Sequence, residues 1–227
     1  MSISEWQQKW TNWVSYIGPH GDWARREILD TNVLSLLGNV CRRKILDAGC
    51  GEGRMARILS GQGADVLGID IVPEFIEIAS GIQTGRMVDE WTQRWPWLAL
   101  KQKSQSEGRA IFQLEDMCKI PERYYGQFDA VVSCCSLNDV ADIEGAIRSF
   151  AAILNNTGIC VIAMPHPHIV RPASIIQHGL DSTGQVFNEL MAQGFTVTNY
   201  YRTLSEIVNT FSKRGLLLDR MEEPLLS

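Results

Sequence analysis

The sequence predicts an α/β domain whose core is a doubly wound, mainly parallel sheet with helices on both faces. Two observations carry that expectation. Short apolar runs recur at 44–49, 65–70, 110–115, 128–134 and 158–164, most of them separated by helical stretches. Strands of this kind are buried on both faces of a parallel sheet. The second observation is the run from Lys44 to Ala56, which closes an apolar strand on Asp47, places glycines at 49, 51 and 53, and then starts a helix. Glycine accepts positive φ and lets a ligand approach the backbone closely. A helix starting there aims unpaired N–H groups at the same spot. The stretch reads as a ligand cradle at the carboxyl end of a strand.

The remaining elements follow in order. Ile3, Trp6, Trp10, Trp13 and Ile17 mark one face of an amphipathic helix over 3–17. Its tryptophans either pack on the body of the domain, form a lid over a ligand, or make a subunit interface, where aromatic residues are enriched. The Gly18–Pro19–His20–Gly21 stretch breaks that helix. A second helix is expected over Trp23–Leu29 and a third from about Thr31 to Leu37, stopped by Gly38. After the strand at 44–49 come helix 53–60, strand 65–70 and helix 73–80, with Pro73 in its first turn. Strands 110–115 and 128–134, helix 141–154 and strand 158–164 follow. Helix 204–214, closed by Gly215, and a last strand at 216–221 end the pattern.

Two segments break the rhythm, 81–109 and 166–199. Both are too long for simple connections. In the first, Val88, Trp91, Trp95 and Leu98 share one helical face. The expected organisation is therefore an N-terminal helical cap at 1–40 and an α/β domain at 41–227 with insertions at 81–109 and 166–199. The cap and insertions would roof the site.

A composition of 45% hydrophobic and 21% charged residues is that of an ordinary globular chain. The net charge of -5 argues against a partner held by phosphate contacts, so no nucleic acid is expected. No apolar run is long enough to span a bilayer, so no membrane partner is expected. The start Met1–Trp6 lacks a basic region followed by an apolar core. The six cysteines, at 41, 50, 118, 134, 135 and 160, form no Cys-x-x-Cys pair and mostly lie in apolar runs. They read as buried free thiols of a cytoplasmic protein.

Two registers of the glycine turn compete. Gly51-x-Gly53-x-x-Ala56 fits a dinucleotide fingerprint, with Asp70 placed to hold a ribose. The other register, Asp47-x-Gly49-x-Gly51-x-Gly53, puts an acid at the strand end. In that register Ile45–Gly53 resembles the first motif of class I S-adenosylmethionine-dependent methyltransferases, particularly those acting on small molecules. Asp70 at the end of the next strand, Asp116–Met117 after the third, Phe128–Ser133 and Leu154–Gly158 resemble later motifs of that family. Tyr200–Leu204 through Met221–Pro224 resembles its C-terminal helix and strand. The resemblance covers most of 40–165 and 200–224 and fades over 81–109 and 167–198. An acid beside the turn would repel a pyrophosphate but suits the cationic amino-acid end of the methyl donor.

The resemblance implies a Rossmann-like fold, S-adenosyl-L-methionine as cofactor with S-adenosyl-L-homocysteine as product, and the following roles. Gly49 and Gly51 allow close approach of the methionine and ribose portion. Asp47 orients the amino end, Asp70 accepts from the ribose hydroxyls, and Ile71 packs on the adenine. Asp116 accepts from the adenine amine, and the Met117 N–H meets a ring nitrogen. Ser133 and Cys134 offer backbone carbonyls to the ammonium, and Arg25 pairs with the carboxylate.

Methyl transfer from a sulfonium is an in-line displacement of an activated group. The protein mainly aligns the acceptor and excludes water. No metal is needed, and no His/Asp/Glu spacing suggests one. A base matters only for acceptors that lose a proton. His166, directly after the fifth strand, is the catalytic candidate, or else it caps the strand end. Asn138–Asp139 stands where relatives often carry a histidine, and Tyr200 and Tyr201 line the acceptor pocket or belong to strand core. The tryptophans at 1–23 and 91–97 point to a small, apolar or aromatic acceptor, or to a homodimer through these segments. Three rivals remain: a nicotinamide oxidoreductase using the Gly51–Ala56 register, a non-catalytic S-adenosylmethionine-binding protein, and methylation coupled to rearrangement or cyclisation.

Overall fold

In the computed structural model the described residues are 3–18, 20–84, 108–167, 186–190 and 196–224. Helix α1 (Ile3–Ile17) leads through the turn at Gly18 and Gly21, both with positive φ. The two helices expected at 23–29 and 31–37 are one continuous rod. Helix α2 (Asp30–Leu37) is preceded without a break by a π-helical turn over Arg25–Leu29. Both junction residues, Leu29 and Asp30, are right-handed helical, and nothing in Asp30–Thr31 forbids helical backbone. Gly38, at φ 65°, does stop the rod.

The sheet strands are β1 (Lys44–Ala48), β2 (Asp65–Asp70), β3 (Arg109–Leu114), β4 (Phe128–Cys134) and β5 (Leu154–Ala163). They pair in the order β3-β2-β1-β4-β5, all parallel. Helices α3 (Arg54–Gly61), α4 (Pro73–Thr84) and α5 (Ile143–Ile153) connect or flank them. Alternation along β1 sends Ile45 to one face and Leu46 and Ala48 to the other. The first face packs Ile45, Ala130, Val132 and Val161 under Met55, Leu59, Val33 and Leu37. The second packs Leu46, Leu67, Ile69 and Val131 against Ala146, Phe150 and Ile153. Two helix-covered faces make this the doubly wound α/β class that the sequence predicts. Helix α2 thus belongs to the main core, while α1 lays Trp6, Trp10 and Trp13 on a cluster of Val72 with Phe75, Ile78 and Ile82 of α4.

Strand β5 starts four residues earlier than expected, straight from the end of α5. Two further differences concern the end of the chain. Thr196–Tyr200 is a strand, β7, but it pairs antiparallel with β6 (Val186–Leu190) in a separate two-stranded sheet. The segment expected as a strand at 216–221 is irregular; after helix α6 (Leu204–Ser212) the chain runs on to Pro224 without regular structure. Its leucines supply an apolar pattern, but a strand needs a neighbour for its backbone groups. Here Leu217 is 84% exposed. Trp91, Trp95, Pro96, Trp97 and His168 lie outside the described residues. All six cysteines are free thiols; Cys50 is buried, whereas Cys41 is exposed, contrary to expectation. Among the described residues no helix is long and apolar enough to cross a membrane.

Candidate functional site

In a parallel sheet ordered 3-2-1-4-5, neighbouring connections leave on opposite faces between β1 and β4. The crevice at the carboxyl ends of those strands is where such folds hold ligands. A cleft of about 1600 Å³ opens there. Asp47, Gly49, Gly51, Asp70, Ile71, Asp116, Met117, Cys134, Arg25 and His166 all line it. Ser133 does not: it is fully buried at the end of β4, its hydroxyl 2.5 Å from that of Ser136.

The glycine turn divides its labour. Gly49 sits at φ 74°, and a Cβ there would lie 2.5 Å from Ser136 Cβ and 2.9 Å from Met117 Cε. Gly53, at φ 81°, is filled against by the Phe112 ring at 2.6 Å and by Ala79 at 2.9 Å, so it serves helix packing. Gly51, at φ 54°, would meet only Trp13 Nε1, at 3.9 Å. The space above it belongs to the cleft. Of the two registers, the geometry leaves Gly51 facing a ligand and gives Gly53 to the core.

Carboxylates surround that opening. Asp70 Oδ2 accepts from the Gly51 N–H at 2.9 Å and Oδ1 from the Val72 N–H at 3.0 Å. These bonds hold the turn to the end of β2. Burial pushes the Asp70 carboxyl up to about 6 despite those bonds. Asp47 is 2% exposed, and its Oδ2 has no hydrogen-bond partner. Burial, aided by the nearby Glu52 and Asp70 charges, raises its carboxyl to about 7. Along the described lining, carboxylates far outnumber basic side chains. Such a site favours a cation and disfavours a pyrophosphate.

Arg25 comes from the π-helical turn and lies with its guanidinium 4.9 Å from the Trp13 ring centroid. It pairs with Asp22. Burial opposes its charge, but Cys135, Asp22 and Glu52 raise its pKa regardless. Trp13 donates from Nε1 to Glu52 Oε2 at 3.3 Å, fastening α1 to the glycine turn. Trp6 and Trp13 meet edge to face at 5.6 Å and, with Tyr16 and Phe75, form an aromatic wall of the cleft. These tryptophans therefore both pack on the domain and line the cleft. On the adenine-side expectation, Asp116 caps the short helical turn Met117–Lys119 through Oδ1, accepting from the Cys118 N–H at 2.8 Å.

The loop after β4 closes over the turn. Cys135 has φ 54°, rare for a residue with a side chain. Its N–H donates to the Ala163 carbonyl at 2.7 Å. The bend carries Ser136 onto Gly49, where its hydroxyl donates to the Ala48 carbonyl at 3.0 Å. Beyond it, Arg202, which follows β7, donates to the carbonyls of Leu137 (3.3 Å), Val140 and Ala141 (3.1 Å). On the far side of the cleft His166 Nε2 lies 2.9 Å from Glu223 Oε1 in the C-terminal segment. Sequence reasoning missed Trp13–Glu52, Ser136, Arg202 and Glu223. Only the oddity of a small polar residue two places past a strand end hinted at Ser136; the others depend on tertiary proximity. Among the described residues no group of three or more His, Cys, Asp or Glu side chains could hold a metal ion.

Comparison with known proteins agrees with this geometry. A family profile described as a methyltransferase domain matches residues 22–218. A ubiquinone biosynthesis O-methyltransferase of Bordetella avium is 27% identical over 128 residues, 56% of this chain and 44% of that protein. The chain thus spans less than half the length of the ubiquinone-pathway relatives it matches. Among solved structures, an S-adenosylmethionine-dependent methyltransferase of Methanosarcina mazei superposes with a TM-score of 0.59 at 21% identity, covering 82% of this chain and 83% of that one. The [4+2]-cyclase SpnF superposes with a TM-score of 0.58 at 17% identity, covering 93% and 70%. Those two likenesses speak to the fold. With the profile spanning the cradle, the sheet and the C-terminal helix, the chain belongs to the methyltransferase-domain family of class I S-adenosylmethionine-dependent methyltransferases.

Proposed function

We propose that the chain is an enzyme that moves a methyl group from S-adenosylmethionine to a small apolar or aromatic acceptor. The observation that carries this reading is the open face of Gly51, ringed by Asp47 and Asp70. An orphaned buried carboxylate oxygen on Asp47 suits an ammonium, and an acidic wall suits a sulfonium. When bound, the cofactor supplies an already activated methyl group.

The chain's own residues then bind, orient and shield. Asp70 holds the ribose hydroxyls with lone pairs left over from its two backbone bonds. Asp116 reads the adenine amine, Ile71 and Met117 pack beside it, and the Cys134 carbonyl faces the ammonium. Arg25, kept charged by its acidic neighbours, holds the carboxylate. Of the N-terminal helices expected to form a cap, α1 does so on this side while α2 belongs to the core, and the aromatic wall of Trp6, Trp13, Tyr16 and Phe75 excludes water. Leu204, Ile207 and Phe211 line the opposite part of the cleft and favour an apolar acceptor. His166 takes the proton of an acceptor that must lose one, its Nε2 steadied by Glu223. Water exclusion and alignment supply most of the rate.

Calorimetric titration with S-adenosylmethionine, S-adenosylhomocysteine and NADH tests the reading. Saturable binding of the first two, lost in Asp70→Ala, is the expected result. Binding of NADH with no response to S-adenosylmethionine sinks it.

A further inference from the structure

Among the arginines of the described cleft lining, Arg54 and Arg220 are committed elsewhere. Arg54 pairs with Asp30 and donates from Nε to the His20 carbonyl at 2.8 Å, and Arg220 pairs with Glu222 at 2.6 Å. Arg25 is bonded to Asp22 through Nη1, and none of its nitrogens is a sealed donor without a partner. A guanidinium carries several N–H groups in a fixed fork. Those beyond the pair with Asp22 keep open surface on a side chain that lines the cleft.

Trp13 of α1 supplies the platform for that fork. The guanidinium carbon lies 4.9 Å from the Trp13 ring centroid, within cation–π range. The ring is itself fixed on several sides. Its Nε1 donates to Glu52 Oε2 at 3.3 Å, Trp6 meets it edge to face at 5.6 Å, and Tyr16 tilts against it at 5.8 Å. Glu52 belongs to the glycine turn and is 5% exposed, so the anchor is buried. The same Nε1 borders the space above Gly51, 3.9 Å from where a Cβ would stand. The indole thus joins the ligand-facing glycine to the cation.

This arrangement also settles a competition between charges. Glu52 is near enough to stabilise the charge on Arg25, and with both oxygens unoccupied it would rival a ligand for the guanidinium. Trp13 takes up one of those oxygens and offers the cation an uncharged face instead. We propose that Trp13 is a positioning residue for cofactor binding: held by Glu52, its indole keeps the Arg25 guanidinium directed at the carboxylate of S-adenosylmethionine. This inference rests on the methyl-transfer reading and gives helix α1 a part in recognising the amino-acid end of the cofactor.

The experiment titrates S-adenosylhomocysteine and its decarboxylated analogue, which keeps the ammonium and lacks the carboxylate, into the protein by calorimetry. Wild type should prefer S-adenosylhomocysteine by about tenfold or more, as a hydrogen bond between charged groups implies. Trp13→Leu should shrink that preference by about two- to fivefold, the scale of a lost cation–π contact. Arg25→Met should abolish it, and adding Trp13→Leu to Arg25→Met should leave the ratio of the two affinities unchanged. The ratio cancels any loss that falls on both ligands alike. Trp13→Phe is run beside these, because a leucine loosens the packing of α1 on α4. It keeps a ring, has no N–H for Glu52, and should also lower the preference. Either Trp13 variant with the wild-type preference overturns the inference, as does a further change in the ratio when Trp13→Leu is added to Arg25→Met. Equal wild-type affinity for the two ligands overturns it as well. Failure of wild type to bind S-adenosylhomocysteine overturns instead the reading on which it rests.

Discussion

Replacing Gly49 and Gly51 by alanine, one at a time, should separate the scaffold of the cradle from its ligand face. At Gly49 the new methyl would sit 2.5 Å from Ser136 Cβ and 2.6 Å from its Oγ, on a backbone at φ 74°. The left-handed backbone costs alanine about 1–2 kcal/mol. Forcing the Ser136 loop outward adds about 1–3 kcal/mol. Together these give roughly 2–5 kcal/mol, a large part of a typical stability of about 5–15 kcal/mol. For a chain of this size the melting temperature should fall by roughly 5–20 °C. At Gly51 only the backbone term applies, because nothing but Trp13 Nε1 comes within 4 Å. Gly51→Ala should therefore melt a few degrees low and lose most of its S-adenosylhomocysteine affinity. Thermal unfolding with and without S-adenosylhomocysteine, plus calorimetric titration, reads both effects. Adding Ser136→Gly to Gly49→Ala should recover the steric part and leave the backbone part. The reasoning is refuted if Gly49→Ala melts like wild type, or if Gly51→Ala binds S-adenosylhomocysteine undiminished.

Three further outcomes are expected. The Asp47 and Asp70 carboxyls are raised by burial to about 7 and about 6, so the folded chain holds protons that the unfolded chain releases near pH 4. Stability without ligand should fall as pH rises from about 4 to 7, whereas a cationic ligand should drive those protons off. Calorimetry at pH 6.5 in two buffers of different ionisation enthalpy should show proton release on binding, diminished in Asp47→Asn; proton uptake would contradict it. Arg202→Ala should cost about 2–4 kcal/mol, because three loop carbonyls lose their shared donor. Its affinity for S-adenosylhomocysteine should change only a few-fold, and a much larger loss would mean that Arg202 also supports the cofactor side. His166→Gln should leave S-adenosylhomocysteine affinity intact and lower turnover of a phenolic acceptor by about 10²–10⁴-fold; unchanged turnover would remove His166 as the base.

How far the sequence reached follows from which interactions are local. The strands at 65–70 and 128–134 lie where their apolar runs lie, because burial on both faces selects such runs. The cradle was legible through glycines whose backbone angles are themselves the functional requirement. The break expected between Leu29 and Thr31 rested on weak local preference, and packing of Val33 and Leu37 into the main core carries the helix straight through. The strand expected at 216–221 failed for the opposite reason: its apolar residues are right, but pairing is non-local. Arg202 and Glu223 were invisible because each matters through residues some sixty positions away. Ser133 and Cys134 were expected together for their backbone carbonyls; the strand buries the Ser133 side chain and leaves Cys134 lining the cleft.

The Phe112 ring carries a consequence for how this sequence can change through descent. One face of that ring fills the place of two absent Cβ atoms, lying 2.6 Å from the position at Gly53 and 2.6 Å from the position at Gly68, its register partner on β2. Neither glycine can gain a methyl while the ring is there, and trimming the ring alone leaves a void under the start of α3. The three positions therefore form one epistatic unit. A lineage that leaves this solution must shrink the aromatic before it enlarges Gly68, with a less stable intermediate between, while Gly53 is held as well by its φ of 81° and by Ala79 at 2.9 Å. Gly53 is thus constrained by its ancestry with a ring on the neighbouring strand, even though its spacing in the sequence looks like part of a ligand signature.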